Sequence, residues 1–210
     1  MIEVRRDRAA VVVVDMQHDF VHGSLAVAGA AALARRLAPL VGAARSAGLC
    51  IVWVTHAVRP GELGPLARFE EVAAGRALRE GSAGVQVVPE LDPRPEDVYV
   101  VKRRFSAFAQ TDLDLTLRSR GIEQLFVCGV SAHVCCDTTI RDAFQLGYDA
   151  VYVVDGVEMG DLPDLGWGAV DADTAKRVVA TTIAHRFGDV CTRAELVAAL
   201  EREAAARGLM

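Results

Sequence analysis

Short, unbroken apolar runs recur along the chain, each giving way to a polar or charged residue. "AVVVVD" ends at Asp15, "LCIVWVTH" at His56, "VYVVK" at Lys102, "LFVCGVS" at Ser131 and "AVYVVDG" near Asp155. These runs are rich in β-branched residues and do not alternate with polar ones, which is the pattern of strands buried on both faces. "DVCT" at 189–192 is a weaker sixth candidate.

Between the runs the apolar spacing becomes helical. "LARRLAPLVGAARSAG" closes on Gly48, a C-cap residue, and Pro39 is expected to limit how far the helix extends toward its N-terminus. "TDLDLTLRSRG" opens on a Thr/Asp cap and ends on Gly121, and "HVCCDTTIRDAFQLG" ends on Gly147. "DADTAKRVVATTIAHRFG" starts with Asp and Thr, and "TRAELVAALEREAA" opens with a capping box between Thr192 and Glu195. Strands alternating with helices predict an α/β fold, a mostly parallel sheet of about six strands covered on both faces in three α/β/α layers. Neither an internal repeat nor a linker divides the chain, so one domain over 1–210 is expected. The longest interruption, 57–97, is rich in Gly, Pro and charge, and a connection of that length is expected to be functional, partly helical, or both.

Composition narrows the function classes. The chain has 210 residues, 52% hydrophobic and 6% aromatic, with a formal net charge of −5. An acidic balance without a basic cluster argues against a nucleic-acid partner. No apolar run reaches the length of a membrane span, and the six apolar residues Ala9 to Val14 follow charge without a cleavage site, unlike a signal peptide. Five cysteines, an odd number without a CxxC pair, fit a cytoplasmic protein with reduced thiols.

The stretch "CGVSAHVCCDTTIRDAF" places Cys128, Cys135 and Cys136 where a strand runs into a helix. A disulfide, a metal site, a redox switch, a nucleophile and core filler all compete for that sulfur. Adjacent cysteines bridge poorly. The five histidines form neither HxH nor HExxH with the thiols, so no metal is expected. In open α/β sheets, ligands bind outside the carboxyl ends of the strands, which singles out Asp15, His56, Lys102, residues 131–136 and Asp155. Cys135 opens a predicted helix, where free amides and the macrodipole favour a thiolate and offer an oxyanion site. Asp15 is placed to take the thiol proton and return it to a leaving amine, with Lys102 holding the carboxylate charged. Each of the three also has a bland reading, as a loop cap, a solvated lysine or a core cysteine.

Three motifs in order resemble the isochorismatase-like cysteine hydrolases, which include nicotinamidases, N-carbamoylsarcosine amidases and ureidoacrylate amidohydrolases. They are "VVVVDMQHDF", "VYVVKRRFSAFAQTDLDLTLRSRGI" and "LFVCGVSAHVCCDTTIRDAFQLGYDAVYVVD", and the resemblance spans roughly residues 8–200. It implies Asp15 as general acid/base, Lys102 as its ion-pair partner and Cys135 as nucleophile. It also implies a cis peptide at Val130–Ser131 and an oxyanion hole from the Ser131 and Cys135 amides. Cys136 stands where the family usually has Val, and Ala132 and His133 stand where relatives often have Thr and a variable residue. Nicotinamidases carry a metal-binding Asp and histidines just after the second strand. "VTHAVRPGELG" offers only His56 there. Isochorismate-cleaving members lack the nucleophilic cysteine, so Cys135 argues for acyl chemistry.

The reading is a cofactor-free hydrolase of a C–N bond in a small amide, ureido or carbamoyl compound, through a thioester. Gln17, Phe20, Trp53, His56, Phe108, His133 and Trp167 are the candidate pocket residues, with core packing as the competing role for Phe20 and Trp53. Phe105 is a further candidate. Arg59, Arg103 and Arg104 are candidate receivers of a substrate carboxylate. A primary amide, a carbamoyl compound and a cyclic amide all stay open. The competitors are vinyl-ether hydrolysis and a redox-sensing or binding protein on the same fold. By the resemblance, a homodimer or homotetramer is expected.

Overall fold

The computed structural model describes residues 2–206, so Met1 and residues 207–210 of the expected domain lie outside the described residues. Six strands form one sheet: β1 (Ala9–Val14), β2 (Cys50–His56), β3 (Val98–Lys102), β4 (Gln124–Val130), β5 (Asp149–Glu158) and β6 (Asp189–Cys191). Their order is β3-β2-β1-β4-β5-β6, and every pairing is parallel. The helices are α1 (His18–Val21), α2 (Ala30–Ser46), α3 (Glu70–Ala73), α4 (Leu113–Ser119), α5 (Asp137–Gln145), α6 (Ala172–Arg186) and α7 (Arg193–Ala206).

Strand alternation sorts the core into two layers. Val11, Val13, Ile51, Trp53 and Phe126 pack on one face with Leu33, Leu37 and Leu40 of α2 and Leu196 of α7. Val12, Val14, Val52, Val54 and Val127 pack on the other with Leu113 and Leu117 of α4, Ile140 of α5 and Ile183 of α6. This is the three-layer α/β/α arrangement that the alternating pattern predicts.

Several local expectations hold. Thr192 and Glu195 form the reciprocal box at the start of α7, with the Thr192 amide donating to Oε2 at 2.7 Å and the Glu195 amide donating to Oγ1 at 3.2 Å. Asp171 caps α6 by accepting from the Thr174 amide at 2.8 Å. Two expectations change. Pro39 does not limit α2, which runs through it from Ala30. Both Pro39 and Arg35, whose carbonyl loses the missing N–H, are exposed, where water can replace the bond. β3 is not buried on both faces, because it is an edge strand with Tyr99 49% and Val101 45% exposed.

The 57–97 connection is partly helical, carrying α3 and three single 3₁₀ turns. Val58, Leu66, Val72, Ala77 and Leu78 from it form a small apolar cluster against Phe20 and Leu25. Among the described residues, no helix is long and apolar enough to cross a membrane.

Candidate active site

The carboxyl ends of β1, β2, β3 and β4 meet at one point. His56 and Lys102 are register partners on neighbouring strands, so their side chains leave the same face of the sheet together. Asp15 follows β1 with a left-handed φ of 54°, which breaks the alternation that Val14 would otherwise pass on. Its amide donates to the Val54 carbonyl at 2.8 Å, fixing that turn to β2. Gly129, in β4, has φ 118°, and a Cβ there would lie 2.1 Å from the Val14 carbonyl oxygen. Only glycine lets β4 pass this close to β1.

After β4 the Val130–Ser131 peptide is cis, and Ala132–Cys136 form a π-helical turn before α5 begins at Asp137. The amides of Val134 and Cys136 donate to the Ser131 carbonyl at 3.1 and 3.2 Å. Cys135 therefore sits in a wide turn ahead of α5, not at the first turn of a regular helix as the sequence suggests. π-turns of this kind are frequent at functional sites.

Lys102 is the hub. Its Nζ lies 2.8 Å from Asp15 Oδ2 and donates to Cys135 Sγ at 3.3 Å, to His56 Nδ1 at 3.0 Å and to the Arg104 carbonyl at 3.2 Å. Lys102 and Asp15 are 0% and 1% exposed, so this is an ion pair withdrawn from water. The ammonium meets the carboxylate obliquely, and neither carboxylate oxygen has an aligned donor. Burial pushes the Asp15 carboxyl up, although Lys102 opposes it. Burial pulls Lys102 down, but the Asp15 charge carries it above its ordinary value, so it stays protonated. Burial and the Asp15 charge push the Cys135 thiol up to about 12, the reverse of the lowering expected from a helix N-terminus. The resting sulfur is a neutral thiol beside a carboxylate.

Burial and the neighbouring Lys102 charge hold His56 neutral, with a pKa lowered to about 2. Because Nδ1 accepts from Lys102, the ring proton is on Nε2, and that buried N–H has no partner. One donor atom from each of Asp15, His56 and Cys135 lies within 4.8 Å of the others, a spacing that suits a metal ion. The Lys102 ammonium, however, is within bonding reach of all three side chains, so these donors already cradle a cation of the protein's own.

A cavity of about 170 Å³ opens on Asp15, His56, Ser131 and Cys135. Its far wall comes from the 57–97 connection and from α1 and the loop after it, with Leu66, Phe69, Val72, Leu78, Phe20 and Leu25. Phe105 closes one side, edge-on to both His56 and Phe69.

Asp15, Ser131 and Cys135 line this cavity, and of the candidate pocket residues Phe20, His56 and Phe105 line it while Gln17, Trp53, Phe108, His133 and Trp167 lie elsewhere. Gln17 is buried below it, its side chain accepting from the His56 amide at 2.6 Å and donating to the His56 carbonyl at 2.9 Å. Trp53 points into the α2 layer and donates to Asp97 at 2.8 Å. Phe108 stacks on Tyr148, and half-buried His133 places Nδ1 3.3 Å from the Ser131 hydroxyl. Trp167 is 96% exposed. Asp155 stays out of the site, accepting from the Arg193 amide at 2.6 Å at the start of α7. Sequence reasoning missed the aliphatic wall and also Asp19, whose carboxylate accepts from the Leu78 amide at 2.7 Å. The signal for the wall was the length of the connection, and Asp19 lies in the first motif, with Asp15.

A model of the isochorismatase domain matches residues 9–195 of the chain. Ureidoacrylate amidohydrolase RutB of Variovorax paradoxus (strain S110) is 33% identical over 72% of this chain and 69% of its own length. A cysteine hydrolase from Pseudomonas syringae pv. phaseolicola 1448A superposes with a TM-score of 0.90 at 36% identity, covering 97% of each chain. The N-carbamoylsarcosine amidase from Thermoplasma acidophilum superposes with a TM-score of 0.72 at 26% identity, over 89% of this chain and 96% of its own.

Proposed function

The chain belongs to the isochorismatase family, and from that premise we propose that it is a cysteine-dependent hydrolase of a C–N bond in a small amide, ureido or carbamoyl compound. The observation that carries this reading is the Lys102 ammonium, 2.8 Å from Asp15 and 3.3 Å from Cys135 Sγ at the floor of a cavity. The names of the two relatives, a ureidoacrylate amidohydrolase and an N-carbamoylsarcosine amidase, support C–N chemistry.

The neutral thiol needs a base at the moment of attack, and Asp15 serves because burial has raised its affinity for a proton. As the Cys135 proton passes to Asp15, the Sγ–C bond forms and the carbonyl π electrons move to oxygen. The Ser131 and Cys135 amides receive that oxyanion. The tetrahedral intermediate collapses with cleavage of C–N, and Asp15 delivers its proton to the departing ammonia or amine, leaving a thioester. Asp15 then takes a proton from water while the oxygen attacks. C–S cleavage releases the acid, and the thiolate recovers the proton. Lys102 keeps its charge throughout and holds both the carboxylate and the developing thiolate in place.

The reading extends to a homodimer or homotetramer, because Leu165 and Trp167 stand 82% and 96% exposed, a surface that association would cover. The test of the chemistry is ammonia release from a panel of amides, ureido acids and carbamoyl compounds by wild type and Cys135→Ala. Turnover by wild type alone is expected. Release that persists in Cys135→Ala would overturn the nucleophile and favour vinyl-ether-type acid catalysis by Asp15.

A further inference from the structure

The two ends of the cavity differ sharply in chemistry. At the floor the charged and ring side chains are Asp15 and His56, whose carboxylate oxygens and Nε2–H are themselves buried without an aligned hydrogen-bond partner. A carboxamide suits this end, because its C=O meets the Ser131 and Cys135 amides that receive the oxyanion and its neutral head brings no charge beside Asp15. Every other side chain on the wall is aliphatic or aromatic except Ser131 and Cys135. At about 170 Å³ the space is below the roughly 300–1,000 Å³ of ordinary ligand pockets.

Among the described residues, no lysine or arginine lines this wall. Lys102 is paired with Asp15. Arg59 and Arg103 both bind Glu80, at 2.9 and 2.7 Å. Arg104 lies near enough to His56 for its charge to act there, but its Nη1 donates to the Arg103 carbonyl at 2.8 Å and it is not on the wall. A carboxylate on the substrate would have to leave water for hydrocarbon beside the charge of Asp15, without a partner.

We propose that the substrate is an uncharged carboxamide with a compact apolar acyl group, branched aliphatic or monocyclic aromatic, and that amides and ureido compounds bearing a carboxylate are excluded. This deepens the C–N hydrolase reading and rests on it. The selectivity separates this chain from relatives named for ureidoacrylate and N-carbamoylsarcosine, both of which carry a carboxylate. It also gives product release a direction, since hydrolysis turns the neutral head into a carboxylate that the Asp15 charge repels.

The test measures binding apart from turnover. Cys135→Ala is titrated by NMR chemical shift with isovaleramide, with malonamate, in which a carboxylate replaces the isopropyl group, and with ureidoacrylate. Isovaleramide is expected to bind at least a hundredfold more tightly than either anion. Comparable or tighter binding of an anion overturns the proposal, and loss of that binding in Arg104→Gln would identify Arg104 as the receiving cation. Absence of binding by all three overturns it as well. Phe69→Arg, a rim position 40% exposed, places a cation at the wall and is expected to cut the preference at least tenfold. An unchanged preference overturns the charge argument. Isovaleramide that binds but yields no ammonia with wild type strikes at the hydrolase reading and leaves the pocket assignment standing.

Discussion

The Lys102 ammonium lies 3.0 Å from His56 Nδ1, between two side chains that parallel register sets side by side. One hydrogen bond therefore fixes the tautomer of a histidine on the cavity wall and leaves its proton on the buried, unpartnered Nε2. The same ammonium keeps the ring from taking a proton.

That relationship makes His56 an acid-sensitive element of stability. Its folded pKa, about 2, lies below the ordinary 6.5. Below 6.5 the unfolded chain therefore binds a proton that the folded chain refuses. The penalty is absent above pH 6.5 and grows by about 1.4 kcal/mol per pH unit as pH falls toward 2. Between pH 7 and pH 5, wild type is expected to lose about 2 kcal/mol more than His56→Gln. Urea unfolding midpoints of both proteins at the two pH values check this, and equal losses would exclude His56 as the titrating group.

Cys135 is expected to alkylate slowly near neutrality. With its thiol pushed up to about 12, the thiolate fraction rises about tenfold per pH unit over the range pH 7–10. The rate of Cys135 modification by iodoacetamide, followed by peptide mass, should climb across that range. A plateau near pH 7 would mean a resting thiolate and a different division of labour with Asp15. The same chemistry bears on the redox alternative. Cys128 and Cys136 are fully buried, and burial raises both thiols as it raises Cys135, so mild peroxide is expected to leave these three cysteines reduced.

Lys102→Met tests the hub. It leaves the Asp15 carboxylate buried beside a thiol with its counter-charge removed, a loss of about 3–5 kcal/mol for a pair this deeply withdrawn from water. Chemical denaturation of Lys102→Met against the double variant Lys102→Met/Asp15→Leu measures it. The double variant should recover most of the stability and none of the activity.

The sequence made the frame and the site's floor legible for one physical reason. A strand buried on both faces reads as an unbroken apolar run, and a charged residue that ends such a run is at the carboxyl edge of the sheet. Asp15, His56 and Lys102 follow directly from that. Strand parity decided what did not follow. Trp53 lies one residue off the face that carries Val52, Val54 and His56, so its ring enters the α2 layer and not the site. Gln17 is polar and adjacent to Asp15, yet its amide holds the backbone of His56. The cavity wall had no periodic signal, because Leu66, Phe69, Val72 and Leu78 come from short turns with irregular backbone. Leu78 even has a left-handed φ of 56°.

Asp19 is the residue that ties this wall to the rest of the site, and its removal should separate binding from chemistry. Its carboxylate accepts from the Leu78 amide at 2.7 Å. It also lies against Gly84, where a Cβ would come within 2.3 Å of Oδ1. Asp19→Ala leaves the Leu78 amide buried without an acceptor, at a cost of about 1–3 kcal/mol. The strain falls on the connection that carries Leu66, Phe69 and Leu78, while Asp15, Lys102 and Cys135 stand on the sheet and its β4 turn. With an amide the enzyme turns over, KM is expected to rise about tenfold with kcat nearly kept, since the wall holds the acyl group and takes no part in bond cleavage. Asp19→Asn, which retains an acceptor for the Leu78 amide, should recover most of that loss. A fall in kcat at unchanged KM would instead place Asp19 in the support of the catalytic floor.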